Sequence, residues 1–162
     1  MKYLYIYPEL CTGCRECSIA CSLSKFGECN PKKAAISVVR DEFERLEYPL
    51  ICMQCEDALC MKFCPQNAYY RDNLPDGQCQ AGGVVKYDST KCIKCRFCAT
   101  VCPYAAITVH HNDIVKCDLC SGDPKCVKVC STNAIRYEEE TLELADRRKG
   151  LAKKLLQKET HK

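Results

Sequence analysis

The sequence lacks several features that would mark common classes of protein. It has no tryptophan and only four phenylalanines, and no stripe of basic residues is interleaved with aromatics, which argues against a nucleic-acid-binding surface. No apolar run approaches the length of a membrane-spanning helix. The opening MKYLYIYPELC is too short, and too interrupted by Pro8, to be the apolar core of a signal peptide. We therefore expect a cytoplasmic protein that neither spans a membrane nor binds nucleic acid.

Cysteine, by contrast, is far above its ordinary usage, with 18 in 162 residues. A count that high indicates either disulfides or metal ligands. A chain kept in a reducing cytosol holds its thiols free, so the cysteines are predicted to be ligands.

Sixteen of these cysteines form an internal repeat of four quartets. The first and third have gaps of two, two and three residues, the spacing of bacterial ferredoxin cluster runs; they are Cys11, Cys14, Cys17, Cys21 and Cys92, Cys95, Cys98, Cys102. The second and fourth keep the final gap of three but have extra residues before the third cysteine; they are Cys52, Cys55, Cys60, Cys64 and Cys117, Cys120, Cys126, Cys130.

This spacing has a chemical reason. Three cysteines on one tight loop reach three corners of an iron–sulfur cubane, and the fourth corner is filled from another run, so quartets work in pairs. The gap of three suits a helical turn that carries the last thiolate toward the neighbouring cluster. Zinc is the competing ligand, but zinc usually takes two separated cysteine pairs rather than one crowded run. The quartets predict four [4Fe-4S] clusters.

The clusters also change how charge and catalysis are interpreted. The formal net charge is +3 with neutral thiols, and four clusters of net charge about −2 would bring it to about −5. With all four corners of each cluster held by thiolates, no iron is open to a substrate. There is no G-x-G-x-x-G fingerprint for a nucleotide or flavin. We expect electron transfer without catalysis.

Short apolar stretches before each quartet predict strands at 3–7, 48–51, 83–87 and 114–116. A further strand is expected around Ile36 and Val38. The predicted fold class is α+β, with short strands and helices around pairs of clusters.

With these residues the chain resembles the four-cluster ferredoxin-like subunits of molybdopterin and tungstopterin oxidoreductases, formate dehydrogenases and hydrogenases, over residues 1 to about 137. The resemblance implies two ferredoxin-like modules, one inserted in the other. The outer module is 1–47 with 103–137, the inner module is 48–102, and 138–162 is a helical tail. Proline follows Cys64 and Cys102 whereas serine follows Cys21 and Cys130, which fits pairing of the two middle quartets and of the two outer ones.

Carried over residue by residue, the resemblance implies four ligand sets. In the outer module they are Cys11, Cys14, Cys17, Cys130 and Cys21, Cys117, Cys120, Cys126. In the inner module they are Cys52, Cys55, Cys60, Cys102 and Cys64, Cys92, Cys95, Cys98.

The resemblance also implies a large catalytic partner subunit. The small size and the RRKGLAKKLL segment favour a tungsten-dependent aldehyde oxidoreductase partner or the related aromatic-ring-reducing enzymes, with a flavin- or ferredoxin-type acceptor. A hydrogenase- or formate dehydrogenase-linked subunit fits the same quartets, and a freely diffusing polyferredoxin is the other alternative.

Two cysteines and the C-terminal tail lie outside the four quartets. Cys29 and Cys79 lie in turn-rich contexts and are expected to have no cluster role. From Glu138 to Lys158 acidic residues precede basic ones, the order that a helix dipole favours, and Leu144, Leu151 and Leu155 form an apolar stripe. The stripe is expected to pack either on the cluster domain or on a partner.

Overall fold

The computed structural model describes residues 2–73, 83–147 and 150. Its strands are β1 (Lys2–Ile6), β2 (Ile36–Asp41), β3 (Leu46–Ile51), β4 (Tyr69–Asp72), β5 (Val84–Tyr87), β6 (Ile107–His110), β7 (Asp113–Lys116) and β8 (Ile135–Glu139). Its α-helices are α1 (Glu16–Phe26), α2 (Leu59–Lys62), α3 (Phe97–Thr100) and α4 (Lys125–Lys128), and residues 142–147 are also helical. The mixed α and β composition agrees with the predicted class, and all five predicted strands are present.

Within the described residues the strands form antiparallel pairs rather than one larger sheet. The pairs are β1 with β8, β2 with β3, β4 with β5, and β6 with β7. In the first pair Leu4 lies opposite Tyr137 and Ile6 opposite Ile135, so the strand before the first quartet is joined to the strand after the fourth. Because a two-stranded sheet is marginal by itself, these ribbons depend on what packs against them.

Each quartet places its third cysteine on a helix. Cys17 and Cys21 both lie on α1, which ends at Gly27 in the left-handed conformation. The other three helices are single turns that carry Cys60, Cys98 and Cys126, and the last cysteine of each quartet follows within two residues. The predicted helical turn at the end of each quartet is therefore present.

Thiols form part of the hydrophobic core. The main cluster of buried side chains contains Leu4, Ile36 and Ile135 together with Cys17, Cys21, Cys117 and Cys126. Apolar side chains thus surround the cysteines instead of forming a separate core.

The tail begins later than predicted, because β8 continues to Glu139 through pairing with Lys2. In the helical residues that follow, Leu144 is half-buried. Arg147 forms an ion pair with Glu9, and its guanidinium stacks 4.1 Å from the centroid of Tyr7. The first part of the tail thus contacts its own domain. Leu151 and Leu155 lie outside the described residues.

None of the helices in the described ranges is both long and apolar enough to cross a membrane.

Candidate metal centres

Three of the four predicted ligand sets each line one cavity. Set A comprises Cys11, Cys14, Cys17 and Cys130, which line one cavity. The first two lie on the loop before α1, Cys17 lies in its first turn, and Cys130 follows α4. The cavity therefore brings together thiols from quartets more than a hundred residues apart in the chain.

Set C, from the second and third quartets, comprises Cys52, Cys55, Cys60 and Cys102, which line a second cavity. Set D comprises Cys64, Cys92, Cys95 and Cys98, which line a third. In both cavities three thiols come from one quartet and the fourth from the other. This is the exchange of last cysteines that the resemblance implies.

Set B, from the first and fourth quartets, comprises Cys21, Cys117, Cys120 and Cys126. Cys126 interacts electrostatically with both Cys21 and Cys120, and Cys117 interacts with Cys126. Cys117 and Cys126 are buried, at 8% and 6% exposure. The fourth set is therefore also brought together, deeper in the protein than the others.

The sets follow one another in the order A, B, C, D. Cys126 of set B interacts with Cys17 of set A, and Cys117 of set B interacts with Cys52 of set C. Between sets C and D lies Tyr69, whose hydroxyl faces Cys98 without a well-formed hydrogen bond and also interacts with Cys60. Each set thus neighbours the next in the order A, B, C, D, an order that we call the row.

Backbone amides point at the sulfurs. Ala35 N–H donates to Cys21 Sγ at 3.3 Å and Ala68 N–H donates to Cys64 Sγ at 3.3 Å. Lys94 N–H donates to Cys92 Sγ at 3.3 Å. Left-handed backbone at Lys94 and Arg96 curls that loop around its thiols. Such donors stabilise negative charge on cluster sulfurs.

Burial makes these thiols hard to ionise. It raises the pKa of Cys17, Cys55 and Cys60 to about 11 in each case, and that of Cys126 to about 12, with neighbouring thiols adding to the effect. Thiolates in such places need a cation beside them. Metal binding would supply it and release the protons.

The donor arrangement suits clusters. In residues 2–73, 83–147 and 150, no three Cys, His, Asp or Glu side chains converge as they would on a single metal ion. The thiols of sets A, C and D instead surround a volume. A [4Fe-4S] cluster takes one thiolate at each of four separated iron atoms, so the residues present fit it.

Two cysteines, Cys29 and Cys79, lie outside the quartets. Cys29 is exposed and lines none of the three cavities. Cys79 lies outside the described residues.

Two polar residues beside set C were not identified from the sequence. Gln54 is 1% exposed and Lys116 is 6% exposed. Gln54 lies on the loop between Cys52 and Cys55, and Lys116 is the last residue of the apolar strand β7. In the sequence neither position differs from an ordinary surface residue, so no local signal could have identified them.

Comparisons with known proteins bear on the same residues. The family described as "4Fe-4S dicluster domain" matches residues 43–140, which contain the last three quartets. The polyferredoxin-like subunit of aliphatic sulfonate oxidoreductase from Pyrococcus furiosus is 36% identical over 130 residues, 79% of this chain and 70% of that protein. The beta subunit of NADH-dependent phenylglyoxylate dehydrogenase from Aromatoleum evansii is 31% identical over 134 residues, 80% of this chain but 28% of that protein.

Among solved structures, a chain of the active site complex BamBC of benzoyl coenzyme A reductase aligns with a TM-score of 0.46 and 24% identity. The alignment covers 93% of this chain and 87% of that one.

Proposed function

Because this chain belongs to the 4Fe-4S dicluster domain family, we propose that it is a non-catalytic electron-transfer subunit that relays single electrons through four [4Fe-4S] clusters. The recognition made from the cysteine quartets is confirmed by the family match and by the relatives, which are oxidoreductase subunits, one of them described as polyferredoxin-like. The number of clusters, their ligands and the partner are the further content of the proposal.

The observation that carries the proposal is the mixed origin of each cavity. Four thiols drawn from two quartets line each of three separate cavities. Sixteen thiols in four sets hold four clusters, and each iron has a protein thiolate, which leaves no open coordination position for a substrate. Such clusters pass electrons one at a time.

The row of sets gives the relay its order. An electron enters at set A or set D and crosses sets B and C. Supporting this order, the ends of the row carry exposed thiols, Cys14 and Cys95, whereas Cys117 and Cys126 lie buried in the middle. Partners exchange electrons with the ends.

The modules follow the same division. We assign sets A and B to an outer module formed by 1–47 and 103–137, and sets C and D to an inner module formed by 48–102. The pairing of β1 with β8 supports an outer module that closes around an insertion.

The partner proposed is a large catalytic subunit with a tungsten or molybdenum pterin, and the acceptor is a flavin or ferredoxin-type protein. Support comes from the resemblance and from the 36% identity to a polyferredoxin-like oxidoreductase subunit.

Iron and acid-labile sulfide assays on anaerobically purified protein test the cluster count. We expect about sixteen iron atoms per chain, because each of four cubanes holds four. Cys29→Ser and Cys79→Ser are the matched controls and should keep all of the iron. A value of about eight iron atoms would contradict the proposal.

Mass spectrometry and metal analysis of what co-purifies from the native host test the partner. A large subunit with tungsten or molybdenum is expected. Co-purification with a hydrogenase would contradict the pterin partner, and an isolated monomer that exchanges electrons with many proteins would contradict the role as a subunit.

A further inference from the structure

Lys116 is a buried lysine at the junction between sets B and C. It is the last residue of β7, directly before the ligand Cys117, and its side chain lines the cavity of set C. With 6% exposure it is the one buried lysine in the described part of the chain. A buried ammonium is costly unless it is hydrogen-bonded or faces negative charge.

The hydrogen bonds of Lys116 are made to carbonyl groups. Its Nζ donates to Val85 O at 2.6 Å and to Cys117 O at 3.0 Å. Gln54 binds the same two residues, because its Nε2 donates to Cys117 O at 2.8 Å and its Oε1 accepts from Val85 N–H at 2.9 Å. The network therefore ties the second quartet and β5 to the fourth quartet.

These bonds hold the ammonium in place without neutralising it. Among the residues that the structure describes, no carboxylate pairs with Lys116. By contrast, Lys86 on β5 has its ammonium 2.7 Å from Asp72 Oδ2, and Lys25 has its ammonium 2.8 Å from Asp118 Oδ2. Lys116 is thus an interior ammonium group that has no neutralising carboxylate among the described residues.

That charge acts on both neighbouring sets. It interacts electrostatically with Cys55, Cys60 and Cys102 of set C and with Cys117 of set B. Arg71 also binds the loop of set C, donating to Cys55 O at 2.9 Å, but its side chain is only half-buried, so water screens its charge.

We infer that Lys116, whose side chain lines the cavity of set C, raises the reduction potential of the cluster there more than that of set B, so that an electron crossing between the two sets is favoured on set C. A cluster with four thiolates carries a net charge of about −2 when oxidised and about −3 when reduced by one electron. A fixed cation stabilises the more negative state, and net charge near a cluster is one of the determinants of its potential. This role rests on the proposed function.

Redox titration of the purified full chain, followed by EPR, tests the inference. Lys116→Met removes the charge at similar length, and Lys116→Arg keeps it. We expect the signal of set C to need a more reducing potential in Lys116→Met, with at least a tenfold change in its reduced-to-oxidised ratio at a fixed potential, about 59 mV for one electron. Lys116→Arg should retain most of the wild-type value. Cys60→Ser identifies which signal belongs to set C.

Two controls separate charge from structure. Gln54→Met removes neutral hydrogen bonds from the same network, and the double variant Lys86→Met/Asp72→Asn removes a lysine together with the carboxylate that pairs with it, so that the net charge is unchanged. Both should leave the potential of set C near the wild-type value. Equal shifts in Gln54→Met and Lys116→Met, or no shift in Lys116→Met, would overturn the inference.

Iron content is measured on every variant. Loss of the set C iron from both Lys116→Met and Lys116→Gln would also overturn the inference, since Lys116 would then be needed only to hold the site together. A wild-type protein with about eight iron atoms would instead overturn the proposed function. The two failures are therefore distinguishable.

Discussion

The middle of the row of ligand sets and its ends differ in how the protein surrounds the thiols. In the middle Cys117 and Cys126 are buried, and Lys116 and Gln54 fill the junction with a closed hydrogen-bond network. At the ends Cys14 and Cys95 are exposed. Under the proposed electron relay this difference would divide the work, because a protein controls potential best where water is excluded and exchanges electrons best where a cluster is near the surface.

Around set D the surface is apolar as well as exposed. Phe63 and Phe97 pack edge to face with centroids 6.0 Å apart, and Ile93 beside them is 60% exposed. These side chains line the same cavity as the thiols. The end of the row thus resembles a contact surface, whereas the middle resembles an interior.

Removal of all iron is expected to change the fold more than any single substitution does. It would abolish the difference between the middle and the ends of the row. Since buried thiols belong to the main core, an iron-free chain should lose its cooperative thermal unfolding transition, as metal-dependent small domains do. Far-UV circular dichroism and amide NMR dispersion measure this. Reconstitution with iron and sulfide should restore both signals. An iron-free protein with dispersed NMR signals and a sharp transition would contradict the prediction.

Loss of one cysteine ligand should have different consequences in the middle of the row and at its end. Cys117→Ala is expected to lose the whole set B cluster, about four iron atoms, because no water can replace the buried thiolate. Cys95→Ala should lose about one iron and leave a [3Fe-4S] cluster, since solvent reaches that corner. Iron assays and EPR measure both. Equal iron loss from the two variants would show that burial does not control cluster retention.

Apolar truncation sharpens the contrast in stability. Leu119, 1% exposed beside Cys117, belongs to the main core, whereas Leu142 is 89% exposed. Leu119→Ala should lower the free energy of unfolding by about 2 to 5 kcal/mol. Leu142→Ala should change it by less than about 0.5 kcal/mol. Anaerobic chemical denaturation measures both, and similar midpoints for the two variants would contradict the expected difference.

Loss of a single ion pair should have the smallest effect on the free energy of unfolding. Lys25 on α1 is 2.8 Å from Asp118 in the fourth quartet, with a lysine side chain 17% exposed, whereas the Lys94–Asp113 pair spans 3.8 Å and is more exposed. Lys25→Met should cost about 1 kcal/mol and Lys94→Met less than about 0.5 kcal/mol. Denaturation at low and high salt measures this. A larger loss from Lys94→Met would contradict the prediction.

Much of the site could be predicted from local spacing. The quartets, the strands before them and the helical turn at each third cysteine all depend on residues close together in the chain. The family implied by the quartets is confirmed, and three of the four sets that it implies coincide with the thiols that line the three cavities. The four-cluster assignment of individual cysteines stays a prediction.

Other features depend on distant residues and could not be predicted. The tail begins two residues later than the charge pattern predicts, because Glu138 and Glu139 extend β8 through pairing with β1. A run of acidic residues indicates a helix start by its charge, but the cross-strand partners that hold it extended are more than a hundred residues away. Local charge and long-range pairing compete, and here pairing prevails.

By itself the sequence determined the kind of chemistry, because the spacing of cysteines on a short loop controls which metal cluster its sulfurs can reach. Only the tertiary structure decided the order of the sets, the burial of Cys117 and the place of Lys116 between two of them. The physical reason is that burial and Coulomb interactions depend on distances in space. Gln54 and Lys116 have no relation along the chain until folding brings both side chains to the carbonyl of Cys117 and to the backbone of Val85.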